Sequence, residues 1–116
     1  MITIYGIHNC DTVKKTRKWF EANGVPYIYH DFRKDGFEPE IALRWCESVD
    51  TSLLINKRST TWKQLSETQK RVIDDSNGSG LVELIIEYPT LIKRPVIESQ
   101  SEIFIGYNEN QLEKLK

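Results

Sequence analysis

The residue with the clearest chemical potential is a cysteine near the start of the chain, Cys10, in the segment YGIHNCDT at positions 5–12. A short alternating, β-branched run at positions 2–5 precedes it, and a helical periodicity begins at Asp11. Cys10 is therefore predicted to lie on the turn between a strand and a helix. Backbone N–H groups and the positive end of the helix dipole at such a turn favour a thiolate or a bound oxyanion. The position suits a nucleophilic sulfur.

Two cationic side chains share a helix face with this cysteine. Lys14 and Arg17 follow Cys10 at i+4 and i+7, which places the three residues in one stripe of the predicted helix. A thiol attacks as its thiolate, and cationic neighbours favour that form. His8 is a candidate proton acceptor for the thiol, and the alternative is an exposed loop residue without a catalytic role. Asn9 and Thr12 are expected to cap the turn or to support the sulfur.

The second cysteine, Cys46, has a different pattern around it. It falls on the apolar face of a predicted helix, among Ile41, Ala42, Trp45 and Val49. A thiol on such a face behaves as a small hydrophobe, and the alternative is a resolving thiol for Cys10. Two widely spaced cysteines are too few for a disulfide scaffold or a zinc site, so no metal site is expected.

Length and composition narrow the class of protein. The 116 residues carry a net charge of −1, with 39% hydrophobic and 28% charged residues, which predicts one globular domain. There is no basic excess to suggest direct binding of nucleic acid. No signal-peptide pattern opens the sequence and no apolar run reaches transmembrane length, so we expect a cytoplasmic protein that does not bind membranes.

The order of predicted elements indicates an α/β fold. Strands are predicted near 2–5, 25–32, 91–98 and 102–107, and helices near 11–22, 39–49, 61–66, 67–74 and 81–87, with loops at 33–36 and 75–80 and an exposed terminal helix at 109–116. A strand–helix–strand start implies a parallel pair, and the last two strands form an antiparallel hairpin. This is a thioredoxin-like (glutaredoxin-type) mixed sheet with helices on both faces. We predict a single domain, residues 1–116, with a helical insertion at approximately 38–90.

Three segments resemble the arsenate reductase (ArsC)/Spx family, in its YffB-type branch. They are YGIHNCDTVKK at 5–15, LINKRSTTW at 54–62 and LIKRPV at 91–96, and the similarity runs in order over nearly the whole chain. The resemblance implies a thioredoxin-like domain with an inserted helical part and a cis peptide bond before Pro95. It also carries the family's reactive cysteine onto Cys10 and two anion-binding arginines onto Arg58 and Arg94.

The sequence departs from the family's arsenate reductases at two points and from its regulators at a third. Asp-Thr-Val-Lys follows Cys10 where those enzymes have Gly-Thr-Ser-Arg, so Lys14 takes the place of an arginine and lacks its bidentate fork. No arginine lies near 106–108, where a third anion-binding arginine is expected. The residue three positions after Cys10 is Val13, so the Cys-x-x-Cys of the family's regulators is absent.

These observations predict a thiol-dependent reductase with a single nucleophilic cysteine, Cys10. The resemblance makes Lys14, Arg58 and Arg94 the residues that bind an anion or glutathione, supported by Asn9, Thr12 and Pro95. The substrate is a mixed disulfide or a small oxyanion. Because no resolving cysteine adjoins the nucleophile, an external thiol, glutathione or a glutaredoxin, is expected to release the adduct.

Two other functions remain open at this stage. One is arsenate reduction proper, and the other is a non-enzymatic, Spx-like interaction module, since regulators of this family bind RNA polymerase. No tightly bound cofactor is expected, and glutathione is expected as the co-substrate.

Overall fold

The computed structural model describes residues 1–7, 10–75, 78–100 and 102–116. The chain divides into two compact units, the first made of Met1–Gly36 and Arg94–Lys116 and the second of Phe37–Lys93. The predicted helical insertion, approximately 38–90, falls within the second unit. The single domain over residues 1–116 stays a prediction.

The first unit contains a four-stranded mixed sheet. Its strands are β1 (Ile2–Gly6), β2 (Tyr27–Asp31), β3 (Val96–Glu98) and β4 (Ile103–Ile105), in the spatial order β2-β1-β3-β4. β1 and β2 are parallel, whereas β3 is antiparallel to both β1 and β4. This arrangement confirms the predicted thioredoxin-like sheet, with its parallel pair at the front and its hairpin at the back.

Eight α-helices are present in the described part of the chain. They are α1 (Asp11–Ala22), α2 (Phe32–Asp35), α3 (Pro39–Ser48), α4 (Thr51–Leu54), α5 (Thr60–Gln64), α6 (Glu67–Asp74), α7 (Gly78–Glu87) and α8 (Glu109–Glu113), with a 3₁₀ turn at Pro89–Leu91. None of them is long and apolar enough to cross a membrane. In the second unit α3 packs against α7, and its buried side chains include Ala42, Trp45, Leu81 and Ile85.

One hydrophobic core fixes α1 and α8 to the sheet. Ile4, Phe20, Ile97, Phe104 and Leu112 form it, and all are at least nine-tenths buried. The prediction of an exposed terminal helix is therefore wrong for one face of α8, because Leu112 belongs to this core. The Asn-Gly pair at 23–24 predicts the stop of α1, and the structure confirms it, since Gly24 follows the helix with a φ of 64°, which suits glycine.

Two predicted loops contain helix. The sequence predicts a loop at 33–36, but α2 begins at Phe32 because Asp31 caps it: the Asp31 Oδ1 accepts from the N–H of Arg33 at 2.8 Å. The predicted loop at 75–80 is wrong from Gly78 onward, where α7 begins, and residues 76 and 77 lie outside the described residues. The N–H groups of a first turn need no intrahelical acceptor, which makes glycine and serine tolerable there.

The sequence contains two capping-box patterns, at 61–64 and at 66–69, and the structure forms the second but not the first. The capping box of α6 is confirmed, since the Gln69 N–H donates to the Ser66 Oγ at 3.1 Å and the Ser66 N–H to the Gln69 Oε1 at 2.9 Å. The box predicted at Thr61 is wrong. Ser59 caps α5 instead, because its Oγ accepts from the Trp62 N–H at 3.1 Å.

Candidate thiol site at Cys10

Cys10 is the N-cap residue of α1, as the sequence predicts. Its N–H donates to the Ile7 carbonyl at 3.1 Å, and its own carbonyl accepts from the Lys14 N–H at 3.1 Å. These two hydrogen bonds hold the turn against the end of β1. The side chain is partly exposed and accepts no capping hydrogen bond from the helix. The sulfur therefore lies at the amino end of α1, where an anion is favoured.

Gly6 permits the close approach of α1 to β1 that creates this turn. A Cβ atom at Gly6 would lie 2.6 Å from the Cγ2 of Val13, a residue that is fully buried. Since real Cβ atoms do not approach other atoms so closely, any larger residue at this position would push the first turn of α1 outward. The glycine thus belongs to the machinery that positions Cys10.

Arg94 brings a second feature to the same end of the sheet. It precedes Pro95 through a cis peptide bond, which confirms the expectation from the family resemblance. β1 and β3 pair Tyr5 with Val96, which begins β3, so Arg94 lies two residues before the end of β3 that adjoins the carboxyl end of β1.

The guanidinium group of Arg94 has donors without acceptors. Its Nε and Nη1 are buried and form no hydrogen bond within the described part of the chain. Leaving buried donors unpaired is costly, typically about 1–3 kcal/mol per group. An anion at this end of the sheet would satisfy them. Arg94 thus has the chemistry that the anion-binding prediction requires.

The remaining predicted site residues differ in placement. Lys14 is exposed on α1, on the face of Cys10. Thr12 lies in the first turn of α1, where its carbonyl accepts from the Thr16 Oγ1 at 2.8 Å. His8 and Asn9 lie outside the described residues.

Arg58 belongs to the second unit. It is exposed in the turn before α5, and its N–H donates to the Asn56 Oδ1 at 3.0 Å. The first unit therefore contains Cys10, Lys14 and Arg94, whereas a contribution of Arg58 stays a prediction.

Two tyrosines of β2 that the sequence analysis did not assign to the site, Tyr27 and Tyr29, lie beside Arg17 of α1. The Arg17 guanidinium carbon is 4.2 Å from the centroid of the Tyr29 ring, and the Arg17 Nε donates to the Tyr27 Oη at 3.2 Å. The Tyr29 hydroxyl is buried and has no hydrogen-bond partner in the described residues. The spacing of Tyr27 and Tyr29, which puts both on one face of β2, is the signal that could have identified them.

The pKa of the Tyr29 phenol is raised by the groups around it. Burial raises the pKa of Tyr29 most strongly, and negative charge at Asp31 and Cys10 raises it further, while Arg17 acts in the opposite direction. The raised pKa keeps the phenol protonated and able to donate a hydrogen bond.

Cys46 occupies the last turn of α3 in the second unit. Burial raises the pKa of its thiol to about 11, and the neighbouring Glu47 adds a smaller effect in the same direction. A thiol of this kind contains almost no thiolate near neutral pH. The structure therefore favours the interpretation of Cys46 as a packing residue over that of a resolving thiol.

No group of three or more histidine, cysteine, aspartate or glutamate side chains among the described residues is arranged to hold a metal ion. The groups described above for the Cys10 region are the thiol, the guanidinium and ammonium groups and the phenol. These are a nucleophile, donors for an anion and a hydrogen-bond donor, respectively.

The mixed sheet and the cysteine at the start of α1 define a thioredoxin-like protein. The model of the ArsC family matches residues 5–115. The chain belongs to the ArsC family. The resemblance to the ArsC/Spx family seen in three sequence segments is thereby confirmed.

Two solved structures and one sequence relative illustrate the match. A YffB protein superposes with a TM-score of 0.89 at 32% identity, covering 99% of this chain and 98% of that one. An arsenate reductase (ArsC) related protein from Brucella melitensis has a TM-score of 0.74 at 36% identity, with coverages of 97% and 92%. The regulatory protein MgsR of Bacillus subtilis is 30% identical over 118 residues, or 98% of this chain and 89% of MgsR.

Proposed function

We propose that the chain is a thiol-dependent reductase in which Cys10 is the single nucleophile and glutathione is the co-substrate. One observation carries the proposal: a partly exposed sulfur at the N-cap of α1 shares a sheet end with a guanidinium group that has unpaired buried donors. Membership of the ArsC family supports reductase chemistry, as does the 36% identity to a protein described as arsenate reductase related. The glutathione-containing cytoplasm is the proposed site of action.

The first step with a glutathione mixed disulfide is a thiol–disulfide exchange. The Cys10 thiolate attacks the glutathione sulfur, a Cys10–glutathione disulfide forms, and the substrate leaves as a thiolate that takes a proton from water. Arg94 binds a carboxylate of the glutathionyl group, and Lys14 adds a point charge on the exposed side. The substrate disulfide is reduced in this step.

The second step needs a thiol from outside the chain. A second glutathione thiolate attacks the glutathione sulfur of the adduct, which releases oxidised glutathione and returns Cys10 as a thiolate. A glutaredoxin is the alternative reductant. An internal partner is disfavoured because Val13 stands where a Cys-x-x-Cys motif has its second cysteine, and burial holds the pKa of the Cys46 thiol near 11.

A small oxyanion is the other proposed substrate, and arsenate reduction is its specific form. The oxyanion would bind to Lys14 and Arg94, with Arg58 as a further proposed ligand. The Cys10 thiolate would then form a bond to the central atom of the oxyanion and displace one oxygen, which leaves as water after taking up protons from the solvent. The glutathione thiolate then attacks the Cys10 sulfur and breaks its bond to the central atom of the oxyanion. The two electrons of that bond stay on the central atom, which is thereby reduced, and the Cys10–glutathione disulfide remains. Glutathione-dependent release of arsenite would identify this substrate.

Incubation with oxidised glutathione tests the proposal. Intact mass spectrometry should show one glutathionyl group on the wild type and on Cys46→Ala, and none on Cys10→Ser. Addition of reduced glutathione should remove the group and, with a mixed disulfide present, support turnover. Absence of the adduct, or its location on Cys46, would overturn the proposal.

A second candidate function is a non-enzymatic regulator of the Spx type, favoured by the 30% identity to the regulatory protein MgsR. Its proposed partner is RNA polymerase. Purified polymerase should then bind the wild type and Cys10→Ser equally, and neither protein should show glutathione-dependent turnover. Turnover that disappears in Cys10→Ser favours the reductase instead.

A further inference from the structure

Tyr29 presents a buried polar group that the fold alone does not explain. Its hydroxyl has no hydrogen-bond partner in the described residues, although buried hydroxyl groups in proteins are nearly always paired. Tyr27, two positions earlier on the same strand face, shows the usual situation, since its hydroxyl accepts from the Arg17 Nε at 3.2 Å. Tyr27 and Tyr29 both contact Arg17, but within the described residues the Tyr27 hydroxyl has a hydrogen-bond partner and the Tyr29 hydroxyl has none.

The position of Tyr29 is set by contacts on both sides. In the sheet it pairs with Ile4 of β1, and Arg17 covers its ring at 4.2 Å. Arg17 lies in the same helical stripe as Cys10 and Lys14, so the Tyr29 ring packs against a residue of the helix face to which the thiol belongs. β1 and β2 are parallel, and their carboxyl ends meet at the edge where the Cys10 turn begins.

We propose that Tyr29 is a positioning residue for Cys10, with its phenol O–H donating a hydrogen bond to the Cys10 thiolate. This inference rests on the proposed function, in which that thiolate is the nucleophile. In the structure the hydroxyl and the sulfur are not hydrogen-bonded, so the Cys10 side chain has to turn toward β2 as the thiolate forms. A protonated phenol is the required donor, and the thiolate is the acceptor it lacks.

The predicted effect on reactivity is moderate, for a physical reason. A hydrogen bond to an anion stabilises it, which increases the fraction of thiolate at a given pH. The same hydrogen bond lowers the intrinsic nucleophilicity of the sulfur, which removes about half of the gain. Loss of the hydroxyl should therefore slow the reaction of Cys10 about three- to tenfold.

Tyr29→Phe and Tyr27→Phe form a matched pair for the test. We would measure the rate of Cys10 alkylation by iodoacetamide at neutral pH, the kcat and KM for a glutathione mixed disulfide, and the free energy of unfolding in urea. Tyr29→Phe should slow alkylation and lower kcat about three- to tenfold with little change in KM or stability, because its hydroxyl has no partner to lose. Tyr27→Phe should keep both rates within about twofold and should reduce the stability, because it removes the hydrogen bond from the Arg17 Nε.

The two proposals fail in different ways. If the wild type is glutathionylated on Cys10 but Tyr29→Phe reacts at the wild-type rate, the role of Tyr29 is refuted and the proposed function stands. If the wild type forms no glutathione adduct, the proposed function is refuted, and the alkylation rates still decide whether Tyr29 acts on Cys10. Equal slowing in both variants would also refute the role, since it would indicate a general disturbance of β2.

Discussion

The two cysteines of the chain occupy opposite ends of their helices, and this difference separates a reactive position from a packing position. Cys10 is the N-cap of α1, whereas Cys46 lies in the last turn of α3 beside Glu47. Both side chains are of intermediate exposure. The amino end of a helix favours an anion and the carboxyl end disfavours one, so similar accessibility gives different chemistry. Exposure alone is therefore a poor guide to a nucleophilic thiol.

The largest expected effect comes from removing each sulfur in turn. Cys10→Ser should lower glutathione-dependent turnover about a thousandfold or more, because no other group in the site can form the proposed adduct. Cys46→Ala should retain turnover within about twofold. Steady-state assays on the two variants measure this directly, and comparable losses in both would remove the distinction between the two regions.

The second effect concerns the anion-binding groups near Cys10. Arg94→Ala should raise the KM for glutathione or an oxyanion about ten- to a hundredfold, since it removes charge-assisted hydrogen bonds from a buried guanidinium. Arg94→Lys should recover only part of this loss, because an ammonium lacks the planar fork. Steady-state kinetics over a range of glutathione or oxyanion concentrations measure both changes.

An exposed arginine of α2 supplies the matched control for this prediction. Arg33 carries the same charge as Arg94 but lies on the surface, so Arg33→Ala should leave the KM unchanged. A KM for Arg94→Ala within about twofold of the wild type would show that the buried donors of Arg94 serve no ligand.

The third effect tests how the fold positions the reactive turn. Gly6→Ala should reduce the free energy of unfolding by about 1–3 kcal/mol, because the added methyl group collides with Val13. Urea denaturation measures the loss. In Gly6→Ala/Val13→Ala the collision is removed, so the double variant should be more stable than the sum of the two single losses predicts. Strict additivity would mean that the two residues do not constrain the start of α1.

The smallest effect is the pH dependence contributed by Cys46. Its pKa is about 11 in the folded protein, above the ordinary thiol value of about 9, so the folded state holds the proton more tightly. The corresponding stabilisation is complete below about pH 9 and is lost as the pH rises through about 11. Urea denaturation between about pH 8 and about pH 11 should show a steeper loss for the wild type than for Cys46→Ala. Parallel curves for the two proteins would contradict the burial of this thiol.

The features that the sequence predicts correctly are mostly local. The strand before Cys10, the helix after it and the glycine stop follow from residue periodicity and backbone preference, which act over a few residues. The family resemblance predicts that Arg94 binds an anion, and in the structure its guanidinium group has buried donors without hydrogen-bond partners among the described residues. Local pattern and resemblance together therefore place the nucleophile and one anion-binding group.

The features that the sequence does not reveal depend on tertiary packing or on a single cap. The burial of Leu112 arises only when α8 meets the sheet, and α2 exists because the Asp31 carboxylate caps it. The unpaired hydroxyl of Tyr29 likewise depends on how α1 covers β2. The burial of Leu112 and the missing hydrogen-bond partner of the Tyr29 hydroxyl have no distinct signature in their own few residues.

The most direct test of the account compares the two cysteines within one sample. Limited alkylation with iodoacetamide at neutral pH, followed by peptide mass spectrometry, gives both rates in the folded protein and again in concentrated urea. We predict that Cys10 reacts at least about tenfold faster than Cys46 in the folded protein, and that the two rates agree within about twofold in urea. Equal rates in the folded protein, or faster reaction of Cys46, would contradict the assignment of Cys10 as the nucleophile.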